Sequence, residues 1–243
     1  MKLGPRILVI PDCQVKPGVS TDHLEHVGNY ILDKRPEYIV CLGDFADMPS
    51  LSSHDEPGSL ESEGKRYEED INAAYQAMQR LLRPFRVRGY SPIMHMTLGN
   101  HEDRITRARN ANPRTFTGKL SDLQFDNDWR VYPFLSVDTI HGIEFSHYFI
   151  SGSMGRPVSS ASALLRVRQS SAVMGHVQQT DIAFHPRTGN IGLFAGTCYT
   201  HDEDYLGRQA NNQRRQVVML NEVRNGTFDP MFVSLRYLEK RYG

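Results

Sequence analysis

The sequence predicts a mixed α/β sandwich, a β-sandwich of mixed sheets flanked by helices. Three observations carry that expectation. Short β-branched apolar runs alternate with helical periodicity in the first half, hairpin-like patterns fill the second half, and the chain is long enough for one large core. All 243 residues are read as a single domain, 1–243, because no linker, repeat or low-complexity tract divides them.

The runs RILVI (6–10) and EYIVCL (37–42) are short, apolar and β-branched, as strands buried on both faces are. Between them Thr21 to Lys34 reads as a helix ending before Pro36, which makes a βαβ unit and a parallel pair. A long helical pattern from about Glu63 to Arg86 places Ile71, Tyr75, Met78, Leu81 and Leu82 on one face, and IMHMTL (93–98) is a third strand. Three hairpins follow, around His141-Gly142, Thr188-Gly189-Asn190 and Asn225-Gly226, the last running through FVSLRYL. A helix from Ser160 to Gln169 interrupts them, and stretches 48–62 and 108–119 read as loops.

Lys plus Arg and Asp plus Glu are both 28, so no net field would hold the protein on nucleic acid or on an anionic membrane. Any preference for a polyanion must be local. The opening MKLGPRILVI is cut short by Pro11 and Asp12, too soon for a signal or spanning segment, and a soluble cytoplasmic protein without a membrane partner is expected. Cys13, Cys41 and Cys198 have no C-x-x-C spacing and read as free thiols in a reducing compartment.

In an α/β sheet, ligands collect beyond the carboxyl ends of the strands. Here the first run is followed by PDCQ, the second by GDFAD and the third by GNHED, while later segments deliver His147 in FSHY and then His176 and Gln178 in GHVQ. A single Asp or Asn after a strand is usually a turn former or helix cap. Five metal-ligating endings in order are not explained that way.

This order resembles the calcineurin-like metallophosphoesterases, whose pattern is D-x-H, G-D, G-N-H-[ED], a lone His and G-H-x-H. The matching segments are DCQ (12–14), GDFA (43–46), GNHE (99–102), His147 and GHVQ (175–178), so the likeness spans residues 7 to 178. It implies two divalent metal ions bridged by Asp44, the first also held by Asp12, Gln14 and Gln178 and the second by Asn100, His147 and His176. It further implies phosphoester hydrolysis by hydroxide generated at the metals, with His101 protonating the leaving group and Asp47 orienting that histidine. Two expected histidines are Gln14 and Gln178 here, and an amide oxygen is a harder, weaker ligand, so Mn²⁺ leads, with Mg²⁺ or another transition metal as alternatives. Partial decay of the first site is the competing reading. The Arg-Gly that continues this motif in protein serine/threonine phosphatases is Met48-Pro49 here, which disfavours that branch. The motif loops also resemble compact phosphoesterases of bacteriophages and DNA-repair exonucleases.

Arg104, Arg107, Arg109, Arg114 and Lys119 follow GNHED without an acidic residue among them and would suit further phosphates, although a solvated helix face explains them as well. Arg104 and Arg107, together with Arg156 in GSMGRP and His54 in the loop after the second motif, are the expected substrate contacts. His23 and His26 read as surface residues, His95 as a core histidine and Trp129 as a hydrophobic anchor. The leading expectation is a phosphodiesterase on nucleic acid or a cyclic nucleotide. A phosphomonoesterase on nucleotides or phosphoproteins and a non-catalytic scaffold with a degenerate metal site are the alternatives. Oligomeric state is not encoded in any local pattern.

Overall fold

Strand β1 (Ile7–Ile10) is buried at all four positions, and its alternation divides them between two cores. Ile7 and Val9 join the core between two sheets, whereas Leu8 and Ile10 join the core beneath the helices. The computed structural model describes residues 3–52, 63–203 and 213–243. Helix α1 (Asp22–Lys34) returns the chain to β2 (Tyr38–Cys41), parallel to β1 with Tyr38 beside Ile7. Helix α2 (Tyr67–Arg86), β3 (Ile93–Thr97), α3 (Asp103–Ala111) and β4 (Arg130–Tyr132) extend this parallel run.

The second sheet collects β5 (Asp138–Ile140) and β6 (Ile143–Ser146), passes the ribbon β7 (Ile150–Ser151) and β8 (Arg156–Pro157), and continues after α4 (Ala161–Arg168) with β9 (Ser171–Met174), β10 (Thr180–Phe184) and β11 (Ile191–Ala195). Its order is β10-β11-β9-β6-β5, with β6, β9 and β11 parallel. Strands β12 (Gln216–Arg224) and β13 (Thr227–Ser234) then pair antiparallel beside β1, giving the first sheet the order β13-β12-β1-β2-β3-β4. Val9, Val40, Phe145, Val173, Leu193 and Val218 fill the space between the sheets, and α4 covers the outer face of the second with Leu164 against Met174 and Phe194.

Helices α1 and α2 cover the outer face of the first sheet and meet closely at Gly28. A Cβ there would lie 2.4 Å from the Leu81 carbonyl oxygen, so glycine is required by the approach. The mixed sandwich agrees with the sequence expectation, with local differences beyond the short strand β4 and the β7–β8 ribbon. LRYL does not continue the last strand but starts helix α5 (Leu235–Tyr242): Ser234 Oγ accepts from Tyr237 N–H, and Leu235 and Leu238 turn inward together. Helix α3 also runs into the stretch read as a loop, stopping two residues before Pro113. Among the described residues no helix is long and apolar enough to cross a membrane.

Candidate metal centre

The segments leaving β1, β2, β3, β6 and β9 at their carboxyl ends meet at one rim, and backbone hydrogen bonds lock the first two together. Cys13 and Gln14 N–H both donate to the Asp44 carbonyl (3.0 and 2.9 Å), and Asp47 N–H donates to the Val15 carbonyl (2.8 Å). Glu102, fully buried, joins the second loop to the third. Its Oε2 accepts from Asp44 N–H (3.0 Å) and Gly99 N–H (2.8 Å), and its Oε1 accepts from Ala46 N–H (2.9 Å). Asp44 lies so close that a Cβ on Gly99 would be 2.1 Å from its Oδ1, and Gly175 approaches Asp12 Oδ1 in the same way, at 2.2 Å. Glycine is thus fixed in both motifs by a carboxylate.

Glu102→Ala strands three buried N–H groups and is expected to lower unfolding free energy by at least about 3 kcal/mol. Urea denaturation in a chelator measures this free of metal effects; an unchanged midpoint would show that the loops hold without Glu102.

Four donor atoms face one another across the rim. His147 Nε2 lies 2.9 Å from Asn100 Oδ1, 3.2 Å from His176 Nδ1 and 3.3 Å from Asp44 Oδ2. The other ring nitrogen of His147 donates to the Leu42 carbonyl (2.7 Å), so a neutral ring turns its Nε2 lone pair toward the cluster. Among the described residues, Asp44, His147 and His176 form the group whose ligand atoms lie within 4.8 Å of one another. Asp12 Oδ1 accepts from His176 N–H (3.0 Å), while Asp12 Oδ2 and Gln14 Oε1 are buried with no hydrogen-bond partner. Gln14 Nε2 faces Asp44 Oδ2 at 3.4 Å. The Gln178 Oε1 accepts from the Tyr199 hydroxyl (3.0 Å).

The charges within this assembly pull its titrating groups in opposite directions. Burial opposes charge on His147, but Asp44 and Asp12 raise its pKa to about 9. Burial, and then the neighbouring His147, lower His176 to about 4, and burial raises Asp12 to about 7. Lone pairs converging in a buried space with unmatched carboxylate oxygens are what a divalent cation satisfies, so these residues fit the metal ions that the motifs imply. Gln14, Asp44, His176 and Gln178 all hold left-handed backbone, with φ of 47°, 46°, 64° and 60°.

His101 stands beside this group. Its Nδ1 lies 2.7 Å from Asp47 Oδ1, its backbone N–H donates to Asp44 Oδ1 (3.0 Å), and its Nε2 lies 3.7 Å from Asp44 Oδ2. Burial lowers the pKa of His101, but Asp44 and Asp47 outweigh that effect and hold it above the ordinary value.

The expected substrate contacts are placed unevenly. Arg104 is turned back into the protein and donates to the carbonyls of Asp47 (2.8 Å) and Met48 (3.3 Å). Arg107 is exposed and donates to the Asn100 carbonyl (2.8 Å), with Asp103 3.4 Å away. Arg156 is exposed on the β7–β8 ribbon, and His54 lies outside the described residues.

Two of the other aromatic readings hold. His95 is buried with Nδ1 on Asp138, and Trp129 is buried with its indole N–H on Met78 Sδ (3.2 Å). His23 is a correction: it is buried, its Nε2 lies 2.9 Å from the Cys198 carbonyl, and burial lowers its pKa to about 4. Sequence reasoning missed Glu102 as a brace, Lys16, Tyr148 packed on the His176 ring at 4.6 Å, and Tyr199 and Glu203. The last two were within reach, since they follow β11 as the ligands follow the other strands.

The family model for calcineurin-like phosphoesterases matches residues 5–220. The chain belongs to that family. Membership carries phosphoester hydrolysis and divalent metal ions as its chemistry. Among curated proteins no sequence matches. Similar solved structures include a single mutant of Vps29 from Entamoeba histolytica, 14% identical with a TM-score of 0.45, covering 94% of this chain and 98% of that one. A dimetal phosphatase from Danio rerio is 12% identical with a TM-score of 0.47, covering 96% and 100%. Yfce, a phosphoesterase from E. coli, is 10% identical with a TM-score of 0.40, covering 94% and 100%.

Proposed function

We propose that this calcineurin-like phosphoesterase hydrolyses phosphodiesters, of nucleic acid or a cyclic nucleotide, with two Mn²⁺ ions and with His101 as the general acid. The observation that carries this reading is the His101–Asp47 pair seated beside the donor cluster, with Nδ1 occupied by Asp47 and Nε2 turned toward Asp44. Asp12, Gln14 and Gln178 would hold one ion, Asn100, His147 and His176 the other, and Asp44 both. When bound, the ions supply polarisation of the phosphoryl oxygens and activation of water near neutral pH.

The remaining chemistry belongs to the chain. Asp47 accepts from Nδ1 and fixes the imidazole, so that the proton delivered to the departing oxygen leaves from Nε2. Two glutamines where histidines are expected favour a hard cation, which supports Mn²⁺ over Zn²⁺. Exposed Arg107 and Arg109 on α3, which starts two residues after His101, support a substrate with phosphates beyond the scissile one.

The test is hydrolysis of bis-p-nitrophenyl phosphate against p-nitrophenyl phosphate after chelation and readdition of Mn²⁺, Mg²⁺ or Zn²⁺. A Mn²⁺-dependent preference for the diester is expected. A monoester preference would put a phosphatase in its place, and silence on both with no calorimetric Mn²⁺ binding would leave a scaffold.

A further inference from the structure

Asp47 is held by more than the histidine it orients. Its Oδ1 faces His101 Nδ1, and its Oδ2 lies 3.5 Å from Lys16 Nζ. Lys16 is in turn seated by Glu203, whose Oε2 is 2.7 Å from Nζ and whose Oε1 is 2.7 Å from His201 Nε2. Glu203 comes from the far end of the chain and its side chain is only 2% exposed. From the opposite side Arg104 donates to the Asp47 carbonyl and brings its guanidinium within 3.5 Å of Oδ1. Both carboxylate oxygens and the backbone of Asp47 are therefore fixed, and rotation of the carboxylate, which would release the imidazole, is blocked. Arg104 also brings its Nη2 within 3.4 Å of His101 Nε2, so it braces the imidazole directly as well as through Asp47.

Such bracing matters for one kind of reaction only. A p-nitrophenolate departs without help, whereas an alkoxide of a sugar hydroxyl departs only if it receives a proton as the bond breaks. We propose that Lys16, seated by Glu203, and Arg104 are positioning residues for the Asp47–His101 acid, fitting the site to phosphoesters whose leaving group is an unactivated alkoxide. The P–O bond to that alcohol breaks, the oxygen takes the Nε2 proton, and water supplies both the hydroxyl left on phosphorus and the proton that restores Nε2 through solvent.

This inference rests on the phosphodiesterase reading, and two diesters sharing a nucleoside separate the two. Thymidylyl-(3′,5′)-thymidine has an alkoxide leaving group, and thymidine 5′-p-nitrophenyl phosphate an aryl one. With Mn²⁺, Glu203→Gln is expected to lower kcat/KM on the dinucleotide by about tenfold and on the aryl ester by no more than about twofold. Lys16→Met should do the same and serves if the Glu203 variant does not fold. In a His101→Ala background neither change should slow the dinucleotide further. Equal losses on both substrates, or none on the dinucleotide, would overturn the positioning role. Wild-type cleavage of the aryl ester alone would overturn the alkoxide assignment and leave the phosphodiesterase standing; cleavage of neither would remove both.

Discussion

Replacing His101 by Ala is expected to slow hydrolysis of a diester with an alkoxide leaving group by about two to four orders of magnitude and to leave binding of two Mn²⁺ ions intact. The imidazole is near the donor cluster without being enclosed by it: Nε2 is 3.7 Å from Asp44 Oδ2, while Nδ1 is taken by Asp47. Its backbone N–H, which holds Asp44 Oδ1, survives the substitution, so the carboxylate at the centre stays in place. Loss of rate without loss of metal is thus the signature of a departed acid. A variant near the wild-type rate on a poor leaving group would remove His101 from the chemistry.

Asp44→Asn has the opposite signature. The amide keeps an oxygen for the His101 N–H and turns its NH₂ toward His147 Nε2, a pairing that suits a neutral ring without a cation. The variant should fold, yet bind Mn²⁺ at least about a hundredfold more weakly, because even losing an outer partner of a ligand costs 10- to 100-fold. Both ions should be affected, since Asp44 Oδ2 faces both Gln14 Nε2 (3.4 Å) and His147 Nε2 (3.3 Å), one residue from each implied ligand set. Calorimetry that still finds two wild-type sites would exclude Asp44 as the bridge.

What could be read from residues alone follows the range of the forces involved. Strands built on short apolar runs, such as Ile7–Ile10, and the turns at Gly142, Gly189 and Gly226 are set by neighbouring residues, and they appear where the pattern puts them. Asp44, His147 and His176 come together as the ordered motifs anticipate. Helix α3 was half hidden because Ile105 is its single buried residue, which leaves almost no periodicity to detect, and β4 has three residues and no fully buried position. His23 looked like a surface residue because the carbonyl that covers it comes from 175 positions away. Lys16 and Glu203, separated by 187 positions, were invisible for the same reason. Arg104 was legible as a cation near the site, but the direction of its side chain was not.

The four left-handed residues at the rim carry an implication for how such a chain changes over generations. Each non-glycine residue there sits of order 1 kcal/mol above relaxed backbone, about 4 kcal/mol in all, against the 5–15 kcal/mol that usually separates a folded domain from its unfolded chain. Drift to glycine or asparagine at Gln14, His176 and Gln178 would relieve that strain, offset in part by lost contacts such as the Tyr199–Gln178 hydrogen bond and the Tyr148–His176 packing. Relatives that have abandoned hydrolysis should therefore betray themselves first at these positions, by small residues where this chain keeps long polar ones.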